Sequence, residues 1–219
     1  MAAATIVAWW LAFTVTHMGL SSERVRGRLV GALGERGFLG VYSLVAFATF
    51  VPLVAVYFSH KHEGALLWYL GSQPLLRWLM YAGMALVLSL IVAALLRPSP
   101  AAIAPGSSEV AGAYRITRHP MFMAVGLFGI LHLLVARVNA TELAFFAGFP
   151  LFACLGCWHQ DRRKLASGGE AFARFHAQTA FLPFTGAGAL RGLREMRLPL
   201  ALGIGLAMLL RFFHGSLFG

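Results

Sequence analysis

Six stretches of this chain are apolar for about the length an α-helix needs to cross a bilayer. They are residues 3–20, 39–59, 75–96, 121–136, 143–158 and 198–213. A helix rises about 1.5 Å per residue, so roughly 20 apolar residues traverse the hydrocarbon core. Inside lipid every backbone N–H and C=O must be satisfied within the protein, which a helix achieves by itself. The expected fold is therefore all-α: a polytopic membrane bundle of about six transmembrane helices, with cytoplasmic and interfacial helices between them. The fourth and fifth stretches are short, so they either extend into their flanks or lie partly at the interface. Pro52 is a kink site that membrane helices tolerate.

Composition agrees. The 219 residues are 59% hydrophobic and 12% charged, with a mean hydropathy of +0.74. A soluble domain carries about a quarter charged residues, and one with this composition would expose large apolar patches. One membrane domain over residues 1–219 fits the length. The N-terminal run ends near Leu20 without a small-residue cleavage site and reads as a retained first helix.

The net charge of +10 does not imply a nucleic-acid partner, because the basic residues fill the gaps between apolar runs. Residues 21–38 hold Arg24, Arg26, Arg28 and Arg36. Residues 97–120 hold Arg97, Arg115 and Arg118. Residues 159–197 hold Arg162, Arg163, Lys164, Arg174, Arg191, Arg194 and Arg197. The opposite side has only Lys61, Arg77, Arg137 and Arg211. Positive residues favour the cytoplasm, which puts the three rich loops inside and both termini outside a bacterial inner membrane. Residues 98–108, rich in Pro, Ala and Ser, read as a loop. Residues 161–179 read as a helix leaving the membrane, with Leu165, Phe172 and Phe175 as candidate buried positions. Residues 189–197 set Leu190, Leu193 and Met196 against three arginines, the pattern of a short interfacial helix.

Few residues suit chemistry. Cys154 and Cys157 lie in an apolar run and read as small buried hydrophobes. The acidic residues do not pair in sequence, which argues against two-carboxylate or two-metal mechanisms. Histidines in lipid are the informative feature, since a titratable ring there faces a cavity, a partner or a ligand. His60, His62, His159, His176 and His214 read as solvated or interfacial. His17, His119 and His132 remain. His17 is near the cytoplasmic end of the first helix, and His119 precedes Pro120 at a helix start. His132 sits within the fourth apolar stretch, following Gly126 and Gly129, which admit a close backbone or a flat ligand. His132 reads either as a ring hydrogen-bonded to a neighbouring helix or as a metal or haem ligand.

The run Tyr114-Arg115-Ile116-Thr117-Arg118-His119-Pro120-Met121, with His132-Leu133-Leu134, resembles the NnrU family. So do His17-Met18-Gly19-Leu20 followed by residues 24–33 and Gly34-Glu35-Arg36-Gly37-Phe38, and Tyr42-Ser43-Leu44. Asp161-Arg162-Arg163-Lys164, leading to Phe172, Phe175, Thr179 and Pro183-Phe184, completes the likeness over about residues 15–184. Members of that family are associated with nitrogen-oxide respiration. The family is similar to 15-cis-zeta-carotene isomerase, a membrane protein that uses haem b. The resemblance implies His17 and His132 as haem ligands, with His119 on a third shared histidine. At about 1.5 Å per residue, His132 lies roughly 18 Å from Pro120 and His17 about 5 Å from Leu20. If both helices start at one interface the rings differ in depth, and His17 with His119 is the alternative pair. Arg118 or Arg24 would meet the haem propionates.

More distantly, the chain is similar to isoprenylcysteine carboxyl methyltransferases. These share an Arg-His-Pro before a membrane helix and a cytoplasmic helix ahead of a Pro, segments that help bind S-adenosylmethionine. Here Arg118-His119-Pro120 and residues 160–184 match, but Gln160-Asp161 stands where that family has paired glutamates. The resemblances thus imply a haem protein in nitrogen-oxide respiration or in redox-linked isomerisation of a lipid-soluble polyene. The alternatives are a membrane methyltransferase using S-adenosylmethionine and a non-enzymatic assembly factor for respiratory reductases.

Overall fold

A computed structural model describes residues 1–100, 106 and 108–218, with side chains to residue 216. The chain is helical almost throughout. The order is α1 (Ala2–Ser21), α2 (Glu23–Ser59), β1 (Leu66–Tyr69), α3 (Pro74–Leu96), α4 (Ala113–Ile116) and α5 (Pro120–Val135). Then follow β2 (Arg137–Asn139), α6 (Ala140–Ser167), α7 (Gly169–Gln178), α8 (Ala189–Glu195) and α9 (Arg197–Phe218). Among the described residues, α1, α2, α3, α6 and α9 are long and apolar enough to cross a membrane. The fourth apolar stretch is the 16-residue α5, shorter than a full span. The expected all-α polytopic membrane fold is the one observed.

Two boundaries depart from expectation. Residues 21–38 are not a loop: after one extended residue, Ser22, α2 starts at Glu23 and continues to Ser59. It is broken in direction at Gly34, where φ is 71°. A side chain there would clash with its own backbone, so glycine suits the bend. The fifth stretch also runs on, since α6 carries helix through the basic residues to Ser167. Leu165 is exposed rather than buried, whereas Phe172 and Phe175 are buried as expected. Of the cysteines only Cys157 is buried; Cys154 is exposed on an apolar helix whose outer face meets lipid. Of the loop read at residues 98–108, residues 101–105 and 107 lie outside the described residues.

The chain divides into two compact units. One holds residues 1–70 and 136–148. Here Trp10 faces Phe50 and His17 faces Tyr42, so α1 and α2 pack antiparallel. The Trp10 Nε1–H donates to the Phe145 carbonyl at 3.0 Å, and Tyr57 stacks on Phe145 at 4.0 Å. Gly148 is required by the same contact, since a Cβ there would stand 2.1 Å from the Trp10 ring. The antiparallel ribbon of β1 and β2 pairs Leu66 with Asn139 and Tyr69 with Arg137. It is closed by the buried carboxylate of Glu142, which accepts from the backbone N–H of His62 at 2.7 Å and of Asn139 at 3.1 Å. His62 is half exposed but not merely solvated, because its Nδ1 also lies 3.1 Å from Glu142.

The other unit holds residues 71–135 and 149–219. Its core joins Val87 and Leu90 of α3 to Ile116, Ala124 and Leu131, with Met196 beneath. Glycines set the approach of the helices. Gly126 of α5 faces Ala153 and Pro150 of α6, and Gly203 of α9 lies directly on Ser89 of α3. Such small-residue contacts are how membrane helices gain packing energy, since lipid offers no hydrophobic drive between them.

Candidate functional site

The first polar centre of this second unit lies where the chain enters α5. Thr117 and Arg118 precede Pro120, whose missing N–H costs nothing in a first turn. Their backbone and side chains bind the segment after α7. Arg118 N–H donates to the Ala180 carbonyl at 2.9 Å, Thr117 Oγ1 to Phe181 at 2.6 Å, and Phe184 N–H to Ile116 at 3.1 Å. The Arg118 guanidinium then turns inward. Its Nε donates to Asp161 Oδ2 at 2.8 Å, and one terminal nitrogen donates to the Thr179 carbonyl at 2.8 Å. It also lies over the Phe181 ring at 5.2 Å.

His119 is buried against the same carboxylate, with Nε2 2.9 Å from Asp161 Oδ1. The distance is that of a hydrogen bond but the angle is not, so the contact acts electrostatically. His176 stands at the outer edge with its Nε2 3.6 Å from Asp161 Oδ2. Partial burial, and next the Arg118 charge, hold the His176 imidazole below its ordinary range. A neutral His176 facing a carboxylate already paired to arginine is consistent with that.

Asp161, His176 and Thr179 were not singled out as a site from sequence, though a signal exists. Phe172, Phe175, His176 and Thr179 follow the i, i+3, i+4, i+7 spacing of one helix face. A histidine on the same face as two buried phenylalanines points inward.

A second polar joint lies nearby in sequence. Glu195, at the end of α8, accepts from the Gly112 backbone N–H at 2.7 Å, from Arg115 Nε at 2.9 Å and from Arg191 Nε at 2.8 Å. These donors hold its carboxyl down at about 2, against an ordinary 4.5, with the Gly112 bond first. A carboxyl lowered on folding lends stability above its ordinary value and loses it as pH falls through the folded one. Melting temperature is therefore expected to fall between pH 4.5 and about 2. Glu195→Gln should melt lower than wild type at neutral pH, with the gap closing over that interval. A gap independent of pH would contradict this assignment.

The remaining predicted residues fall as follows. His132 sits three turns into α5, and its Nδ1 lies 2.8 Å from the Phe128 carbonyl, the acceptor one turn back. Its ring packs at 4.2 Å on Phe128. His17 belongs to the first unit. It lies about one turn before the end of α1, with its ring 4.5 Å from Tyr42 and 5.1 Å from Phe13. Arg24 stands on the exposed side of the first turns of α2. The structure thus brings Arg118 and His119 together on Asp161, and gives His17 and His132 separate aromatic surroundings. Among the described residues, no group of three or more His, Cys, Asp or Glu is placed to hold a metal ion.

The family model described as NnrU protein matches residues 5–219. Comparison with curated proteins and with solved structures returned no match.

Proposed function

The chain belongs to the NnrU family, and on that premise we propose that it is a membrane haem b protein with His132 and His17 as ligands. Its role is in nitrogen-oxide respiration or in redox-linked isomerisation of a lipid-soluble polyene. The observation that carries the reading is His132. A histidine whose Nδ1–H donates to the carbonyl four residues back carries, when neutral, its lone pair on Nε2. A hydrogen bond of this kind from the other ring nitrogen fixes the tautomer and ring orientation of most metal-ligating histidines. The residues flanking His132 along α5 are apolar, which suits neutral imidazole. His17 offers a similar ring, steadied on two sides by Phe13 and Tyr42. When bound, haem supplies one-electron chemistry at its iron, and the protein sets ligand, polarity and access.

His119 and Arg118 serve this reading less well, because both are turned onto Asp161. The same engagement weakens the S-adenosylmethionine alternative, which needs those two side chains for the cofactor.

An absorption spectrum of the detergent-purified protein tests the reading, as isolated and after dithionite. A Soret band with sharp reduced bands is expected in wild type, lost in His132→Ala and in His17→Ala and retained in His119→Gln. Wild-type protein that stays colourless after haem is added would overturn the proposal. Haem retained without His17 would reassign the second ligand.

A further inference from the structure

The helical arm at the start of α2 has no counterpart in the loop expected from sequence. We propose that this arm, residues 23–33, is an interfacial anchor that binds the headgroups of anionic phospholipids. Its residues sort by face. Val25, Leu29, Ala32 and Leu33 fall on one side at helical spacing, and Val25, Ala32 and Leu33 are exposed. Arg24 and Arg28 flank this stripe, also exposed, and make no ion pair among the described residues. Arg26 on the inner flank is different: it pairs with Glu35 and lies over Phe38 at 5.3 Å, tying the arm back across the bend at Gly34.

An apolar stripe bordered by arginines is the arrangement of a helix lying in the plane of a membrane surface, with its apolar side in the acyl boundary. The neighbours in sequence bring the arm to that surface, since α1 ends at Ser21 and α2 becomes membrane-spanning after the bend. Arginine forks match phosphate oxygens in geometry and charge. Arg36, exposed just past the bend, adds a third free positive charge. The charge of this face therefore selects an anionic lipid rather than a zwitterionic one. The inference is independent of haem binding.

The full chain is labelled with an environment-sensitive fluorophore at Ala32→Cys, in a Cys154→Ser background so that the exposed native thiol does not react. It is placed in vesicles of phosphatidylcholine alone, or of phosphatidylcholine mixed with phosphatidylglycerol. Each arginine near an anionic surface contributes about a five-fold preference. Blue-shifted emission and weaker iodide quenching are expected in the mixed vesicles, reversed by high salt. Arg24→Gln with Arg28→Gln should lower the preference roughly 25-fold, whereas Arg24→Lys with Arg28→Lys should retain most of it. Equal emission in the two vesicle types, or an anionic preference surviving the glutamine pair, would overturn the proposal. So would burial of the label that depends on protein concentration in neutral vesicles, which marks a second copy of the chain as the occupant.

Discussion

Asp161→Ala is expected to lower the melting temperature of the purified protein by roughly 10 °C, read as the fraction remaining monodisperse after heating. The carboxylate and its principal partner are both sheltered, at 8% and 10% side-chain exposure. Removing it leaves the Arg118 guanidinium at the start of α5 without its counter-charge, and takes away the carboxylate 2.9 Å from His119. Breaking a buried pair from one side costs about 3–5 kcal/mol, and for a chain of this size each kcal/mol moves the midpoint by about 2–4 °C. An exposed pair would behave differently, at about 1 kcal/mol or less. The size of the loss therefore decides between a buried clasp and a surface ion pair. A second variant isolates the cause. Asp161→Leu combined with Arg118→Met removes both charges and should recover much of the loss, because apolar replacements of a buried pair are often neutral. If the double variant melts as low as Asp161→Ala, the hydrogen bonds from the Thr117 hydroxyl and the Arg118 backbone N–H, and not the ion pair, hold the segment.

That clasp marks where sequence reading stopped. The membrane helices were legible because lipid imposes a length and a composition on any segment that crosses it. Both survive without knowledge of neighbours. The arm of α2 is hard to see in sequence because its arginines give it the charge of a loop, and the stripe through Val25, Leu29 and Leu33 is only about three turns long. The clasp was missed for a different reason. Arg118 and Asp161 are 43 residues apart, and nothing local to either specifies the other. The partner is chosen by how α6 and α7 fold back, which is tertiary information. Glu142 is a similar case, an acid in a first helical turn that also gathers the His62 and Asn139 amides. His17 and His132 stand out in the sequence because a polar ring in an apolar run is conspicuous in one dimension.

Gly203→Leu is expected to separate α9 from α3 and to destabilise the protein by several kcal/mol. A Cβ at position 203 would stand 2.2 Å from Ser89 Oγ, 2.4 Å from Ser89 N and 2.6 Å from its Cα. Two of these atoms are backbone and cannot rotate away. Carbon contacts settle near 3.5–4.0 Å, so the helices must part by about an ångström along the whole line of contact. Overpacking a core usually costs about 1–3 kcal/mol. Here the cost should exceed that range, because close packing is the main attraction between helices in lipid. Even Gly203→Ala should be harmful, although alanine is the better helix former by about 1 kcal/mol. Gly205 supplies the control. It has nothing within 4 Å of its Cβ position, so Gly205→Ala should be neutral or mildly stabilising. Ser89→Gly should not rescue Gly203→Leu, since it removes the hydroxyl and leaves the obstructing backbone. The thermal onset of labelling at the buried Cys157, in a Cys154→Ser background, measures each variant. Onset lowered by Gly203→Leu but not by Gly205→Ala is the expected result. Equal effects at both glycines would mean that helix propensity, rather than the α3–α9 contact, sets the stability of this pair.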